Sequence, residues 1–311
     1  MMRRLWLPGH SSVLPPSRRG MLGAAAILAA VAISALAPEH GAGRASPEPA
    51  ALRLAAPDLV ELQAGHFRHR AAGEFLRDGR PVAAPLVTAE TKTLAVMKHQ
   101  VMAVDYQRCV EAHACPVADD DGAIPDLPMV KVSWRDAQAY ASWLSRLTGE
   151  RFRLPTDEEW AYAAAGRFED DALPENARDD SQRRLAIYDR QARRQEMLDP
   201  APRPVGSFGV NENGLLDVAG NVWEWTDTCY TRNALDARGD IVAATVNCGI
   251  RVVEGRHRTY MSDFIRDARA GGCAIGTPPR NLGFRLVRDD GAWDARHRLF
   301  AWVRLFGLRI E

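Results

Sequence analysis

Five cysteines, Cys109, Cys115, Cys229, Cys248 and Cys273, carry the most reactive side chains of this chain. A thiolate is a soft nucleophile and metal ligand, and thiols in an oxidising compartment tend to pair. Cys109 and Cys115 stand six residues apart and can close a short loop, and Cys229 and Cys248 flank a polar stretch. Cys273 is then left over, as a buried inert thiol or a reactive one; with five cysteines the spacing does not choose the pairing. The histidines available to a metal within residues 57–290 are His66, His69, His99, His113 and His257. None stands in an H-x-x-x-H or His-x-Asp arrangement, so a 2-His-1-carboxylate iron site would need ligands far apart in the chain. Each histidine alone reads as a surface or packing residue. A third concentration is the stretch from Arg251 to Arg258 (RVVEGRHR) with residues 264–279 after it, rich in polar and basic groups. Such a segment either recognises a partner or forms internal salt bridges with Asp263 and Asp267.

The elements that must position these groups are partly legible. Ser133 with Asp136 three residues on caps a helix whose apolar face is Ala137, Tyr140, Ala141, Leu144 and Leu147, stopped by Thr148-Gly149. Thr156 and Glu159 form a T-x-x-E capping box for a second helix ending near Gly166. Residues 58–106 give short apolar runs, Leu59-Val60, Pro85-Leu86-Val87 and Leu94-Ala95-Val96-Met97, which predict strands joined by turns. Asn213-Gly214 and Gly220-Asn221 predict turns around a short apolar segment, and Val222-Trp223-Glu224-Trp225 alternates like a strand. Between Phe168 and Pro204 the charges are dense and mixed in sign, as in a solvated insertion. Residues 293–311 place Leu299, Trp302, Val303, Phe306 and Ile310 on one helical stripe, an amphipathic C-terminal tail that packs on its own domain or touches a membrane surface or partner.

The 311 residues suggest about two domains by length alone, and 46% hydrophobic content excludes a mainly disordered chain. Forty basic and forty acidic residues give no basic excess, so nothing points to nucleic acid. Residues 1–37 hold four of those arginines and no acid, so the remainder is mildly acidic, at −4. Met21 to Ala37 is an uncharged apolar run behind Ser17-Arg18-Arg19-Gly20-Met21-Leu22, which resembles a twin-arginine export signal, a route for proteins already folded. An ordinary secretory signal is the alternative, and either predicts a periplasmic protein, anchored at the inner membrane if the segment is not cleaved. Residues 38–56, rich in Ala, Pro and Gly, read as a flexible leader.

Four blocks carry a family signature: VKVSWRDA (130–137), RLPTDEEW (153–160), GLLDVAGNVWEW (214–225) and NLGFR (281–285). In this order they resemble the formylglycine-generating enzyme, or sulfatase-modifying factor, family. The resemblance covers about residues 57–290 and implies a single α+β, C-type-lectin-like domain with little regular secondary structure, against the two-domain length expectation. It also implies oxidation of a sulfatase cysteine to formylglycine on copper(I) held by two cysteines, a soft-ligand pair suited to that ion. By alignment, the family's active-site serine is His257 here, and its two copper cysteines are Tyr260 and Ile265. Neither replacement can serve as a thiolate, so copper is not expected, and neither is the family's own reaction.

A structural calcium transfers better: the resemblance implies ligation by the Asp217 and Glu224 side chains with the Gly220 and Val222 carbonyls, a hard-oxygen set. The family's other calcium site falls on Ala186-Ile187, which weakens it. Iron, used by some relatives of this fold, is undetermined. The rewritten segment resembles a cysteine-less subgroup found with copper nitrite reductases. The expected function is therefore an accessory or maturation factor for a periplasmic enzyme, nitrite reductase by that resemblance, acting through a groove lined by His257, Arg258, Tyr260, Arg266 and Asn281. The alternative is an oxidoreductase in the same groove using another metal, a tyrosine or Cys273.

Overall fold

Leu94-Ala95-Val96-Met97 contains no polar side chain, and the chain buries all four residues as strand β6 (Leu94–Met97). In the computed structural model, which describes residues 56–118, 125–168, 201–266 and 281–289, β6 lies between β1 (Leu59–Leu62) and β12 (Val287–Arg288), both antiparallel to it. β7 (Phe152–Arg153) extends this sheet by pairing with β12, so the N-terminal and C-terminal parts of the domain close on each other. A second, two-stranded sheet joins β2 (Gly65–Arg70) to β5 (Leu86–Thr91).

The largest sheet is built on a long hairpin, β8 (Trp223–Leu235) and β9 (Ile241–Glu254). β3 (Glu74–Arg77) pairs parallel with the outer half of β8, and β4 (Arg80–Val82) follows at that edge. β10 (Thr259–Ser262) covers only the last residues of β9, Ile250 to Val253, while β11 (Leu282–Gly283) lies beside the start of β8. Gly283 has no alternative there, because a Cβ would run into the Met129 carbonyl.

Helix α2 (Trp134–Thr148) follows its sequence signals closely. Ser133 accepts from the Asp136 amide, the Asp136 carboxylate accepts from the Ser133 amide, and Gly149 closes the helix in the left-handed region at φ 73°. Its Ala137, Tyr140, Ala141 and Leu144 pack with Tyr106, Leu154, Trp225, Met261, Phe284 and Leu286 in the main core. Burying each large side chain of this kind contributes about 1.5–3 kcal/mol. Leu147, placed by the spacing on the same face, is 40% exposed at the helix end. Helix α3 (Asp157–Ala164) carries the predicted Thr156/Glu159 box and passes into a 3-10 turn, Ala165–Arg167. Its Trp160, Ala163 and Ala164 form a second core cluster with Leu62, Leu94, Val96, Leu215 and Val287.

Two expectations are corrected. The described elements belong to one compact unit, Leu54–Glu311, so the two-domain expectation from length fails. The all-strand reading of residues 58–106 also fails at its end, where α1 (Ala103–Glu111) begins. Its Met102 cap makes no side-chain hydrogen bond, and the cap chemistry that marked α2 and α3 is missing. The α+β class stands. Both sequence-adjacent cysteine pairs are bonded, Cys109 to Cys115 and Cys229 to Cys248. The export signal, the leader up to residue 55, Ala186-Ile187, Cys273 and the tail from 291 lie outside the described residues, as does most of the charged stretch from 168 to 204.

Candidate functional site

Two buried ion clusters organise the region where the site was expected. The first is centred on Glu224 of β8, fully enclosed, and on Arg285, which follows β11. Arg285 Nε and Nη2 donate to the two Glu224 oxygens at 2.6 and 2.8 Å. Trp160 Nε1 and Gln100 Nε2 each add a donor at 2.8 Å. Four donors occupy the roughly four lone-pair sites that a carboxylate offers. The remaining Arg285 nitrogen donates to the Met97 carbonyl, and Nη2 also reaches that of Leu216. The guanidinium thus clamps β6, β8 and the 214–221 loop together.

That loop holds three non-glycine residues in the left-handed region, Asp217, Ala219 and Asn221, at φ 56°, 56° and 57°. Such backbone needs external support, and the side chains supply it. Asp217 accepts from the amides of Gly206 and Phe208 at 2.6 and 2.8 Å, and Asn221 exchanges two hydrogen bonds with the Arg203 backbone. In the calcium set expected here, Asp217, Gly220, Val222 and Glu224, both carboxylates are met by protein donors. The Glu224 side chain has no acceptor site left, and a guanidinium already stands against it where a second cation would have to approach. Among the described residues no cluster of three or more His, Cys, Asp or Glu forms a metal cage.

The second cluster lies under the rewritten segment. Arg258 grips Asp157 through two bonds of 2.9 Å, Nε to Oδ1 and Nη2 to Oδ2, and Nε also reaches Glu254 Oε1 at 2.8 Å. Nη1 donates to the carbonyls of Arg70 and Ala71 at 2.9 and 3.3 Å. All three side chains are buried. Two carboxylates thus share one guanidinium. Burial pushes the Glu254 carboxyl well above the usual carboxylate range; Arg258 pulls it down, while the charge and hydrogen bond of Asp157 push it further up. Asp157 opens α3, where a negative charge suits the helix dipole, and its amide donates to Thr228 Oγ1.

Tyr260, at the first copper-cysteine position, is 6% exposed, and its hydroxyl accepts from the Gly73 amide at 2.8 Å. Its ring packs edge-on against Tyr230, whose hydroxyl donates to Glu74 Oε2 at 3.0 Å. Burial pushes the Tyr260 phenol upward, so it stays neutral. Gly73 sits at φ 115°, and a Cβ there would strike Thr231, so glycine is required beneath the tyrosine. Ile265, at the second position, packs against the main core.

Of the residues expected to line a groove, Arg258 and Tyr260 are buried tie points. Arg266 binds both Asp136 oxygens at 2.7 and 2.9 Å. Although burial opposes it, the bonds from Arg266 and Ser133 hold the Asp136 carboxyl below its ordinary value. Asn281 is buried, and its carbonyl accepts from the Trp223 amide at 2.8 Å. His257 is half-buried, edge-on to Trp223, with Nδ1 3.0 Å from the Arg258 carbonyl. The arginines are internally paired, but mostly across elements: Arg258 with Asp157 and Glu254, Arg266 with Asp136, Arg251 with Asp227. Asp263 does take a partner, Arg135. Phe264 is 65% exposed, whereas Trp134 is half-buried beneath Arg251, which stacks over its ring at 3.8 Å. Sequence spacing did not reveal Glu254, Asp157 or Gln100 as cluster members. The one available signal was a charged residue inside an apolar run, Val252-Val253-Glu254.

The sulfatase-modifying factor enzyme 1-like domain model matches residues 44–290. The chain belongs to this family. It is similar to mouse "Inactive C-alpha-formylglycine-generating enzyme 2", 37% identical over 174 residues, with 53% of this chain and 50% of that protein covered. It is also similar to the formylglycine-generating enzyme of Mycobacterium tuberculosis, 38% identical over 184 residues, covering 52% and 57%. The chain spans about half the length of the curated relatives it matches. Among solved structures, PvdO from Pseudomonas aeruginosa is 23% identical with a TM-score of 0.46, covering 75% of this chain and 94% of that one.

Proposed function

We propose that this chain is a copper-free member of its family, exported to the periplasm, that serves as an accessory or maturation factor for another enzyme. The observation that carries this reading is Tyr260. The residue in the first copper-cysteine position is a neutral phenol buried on the Gly73 amide, and no thiolate replaces it nearby among the described residues. The rewritten segment has become internal scaffolding through Arg258 and Arg266, which supports binding over catalysis. A relative described as inactive within the same family fits this reading. The partner, by the subgroup resemblance, is a periplasmic copper nitrite reductase. It would be met where Phe264 stands exposed.

Two measurements test it. Purified protein incubated with copper(I) and a CxPxR sulfatase peptide leaves the peptide mass unchanged; a formylglycine mass loss overturns the copper-free reading. Deleting the gene lowers the activity or metal content of the periplasmic partner; unchanged abundance, metal content and activity overturn the accessory role.

A further inference from the structure

The two disulfides stand in opposite surroundings. Cys109–Cys115 closes the end of α1, and both of its residues are buried in the main core. Cys229–Cys248 joins β8 to β9 where the pairing of these strands is interrupted. On the inner side Trp225 pairs with Val253 and Cys229 with Arg251, so three residues of β8 stand against one of β9. On the outer side the next pair is Tyr230 with Asn247, which leaves Cys248, Gly249 and Ile250 without a β8 partner. Extra residues of this kind disrupt the ladder locally. The Gly249 amide turns to the Asn247 side chain at 3.0 Å, and the Gly249 carbonyl accepts from the Asp263 amide. The disulfide therefore spans a stretch of the hairpin that ladder pairing leaves open. Every residue of β9 from Ile241 to Gly249 is exposed, Cys248 among them, whereas Cys229 on β8 is half-buried. Access governs which sulfur of a disulfide an incoming thiolate strikes.

We propose that Cys229–Cys248 is a thiol-exchange site, opened by attack of an external thiolate on Cys248 Sγ with Cys229 as the leaving sulfur. The co-reactant is a dithiol. Its first thiolate bonds to Cys248 Sγ as the bond between the two cysteine sulfurs breaks, and that electron pair leaves on Cys229, which takes up a proton. The second thiolate of the dithiol then attacks its own partner sulfur in the mixed disulfide, and Cys248 leaves in turn and is protonated. The dithiol ends as a disulfide, oxidised by two electrons, and the two cysteines end as thiols, reduced by the same two. The reverse sequence closes the bond. Opening frees the shifted stretch of β9, while the outer ladder from Tyr230 and Asn247 to Leu235 and Ile241 stays paired, with β3 on the far side of β8. This site is independent of the accessory role proposed above.

The test uses the folded protein carrying Cys273→Ser, so that the one cysteine outside the two bridges does not compete. It is incubated with reduced glutathione, quenched early with N-ethylmaleimide and mapped by peptide mass spectrometry, with circular dichroism as the folding control. Expected are loss of the linked Cys229–Cys248 peptide, glutathione on Cys248, maleimide on Cys229 and an intact Cys109–Cys115 peptide. Glutathione on Cys229 in place of Cys248 overturns the proposal. So does a Cys229–Cys248 peptide that survives in the folded protein and is lost only in urea. Parallel loss of both linked peptides also overturns it, because exchange then follows unfolding of the domain. Should Cys273→Ser misfold, the same peptides are mapped in the wild type. Thioredoxin in place of glutathione separates the sources of the thiol: reduction by it extends the site to protein dithiols, and its failure confines the site to small ones.

Discussion

The two buried arginine clusters solve the same problem with different accounting of charge. Around Arg285 one guanidinium meets one carboxylate, and Gln100 and Trp160 fill the remaining acceptor sites with neutral donors. Around Arg258 one guanidinium meets two carboxylates, Asp157 and Glu254. The first sets one positive charge against one negative. In the second, burial pushes the Glu254 carboxyl upward, so the cluster responds to solution acidity. A buried ion pair is costly to break because the orphaned charge has no water to return to. The first cluster lies deeper, with the Arg285 and Glu224 side chains 1% and 0% exposed against 8% for Arg258.

Arg285→Leu should therefore be the most damaging change, at about 3–5 kcal/mol in a urea titration, because it orphans Glu224 in the centre of the domain. If it proves milder than Arg258→Leu, the contrast between the clusters is wrong. Arg258→Leu should cost about 2–4 kcal/mol at neutral pH, because it removes the shared partner of Asp157 and Glu254.

Glu254→Gln should change neutral-pH stability by no more than about 1 kcal/mol, since the amide resembles the protonated acid in shape and hydrogen bonding. Its informative effect is on the pH profile. A carboxyl raised in the folded state contributes stability that is full below its unfolded value of about 4.3 and is lost as pH rises through the folded value. The variant should remove that decline, so its stability relative to wild type improves with increasing pH; parallel profiles would show that Glu254 is already ionised. The smallest effect expected is that of a calcium chelator. With Glu224 saturated by protein donors, thermal unfolding in excess chelator should overlay the untreated curve, and a clear drop in Tm would restore calcium to the 214–224 loop.

Local rules made the capped helices legible, since Ser133/Asp136 and Thr156/Glu159 are contacts within one turn. The family blocks contain both Glu224 and Arg285, but their pairing joins residues 61 apart and no local pattern shows it. The second cluster was harder to read: Arg258 meets Asp157 across 101 residues, and no local pattern encodes that approach. The burial of Arg258 and Tyr260 was not legible for the same reason. A basic segment looks exposed until its carboxylate partners are known. Helix α1 escaped because it begins after Met102 without a polar cap.

Cys109 is completely enclosed and Cys115 is 8% exposed, so their bond is shielded from oxidants and reductants in the finished domain. The sulfur atoms must be joined while the end of α1 is still open. The hairpin bridge, Cys229 to Cys248, is only partly covered on its β8 side and exposed on its β9 side, so it can be closed or opened afterwards. The chain therefore carries one bond that is settled before maturity and one that remains negotiable, and a mild reducing agent should release the arm while leaving the core sealed.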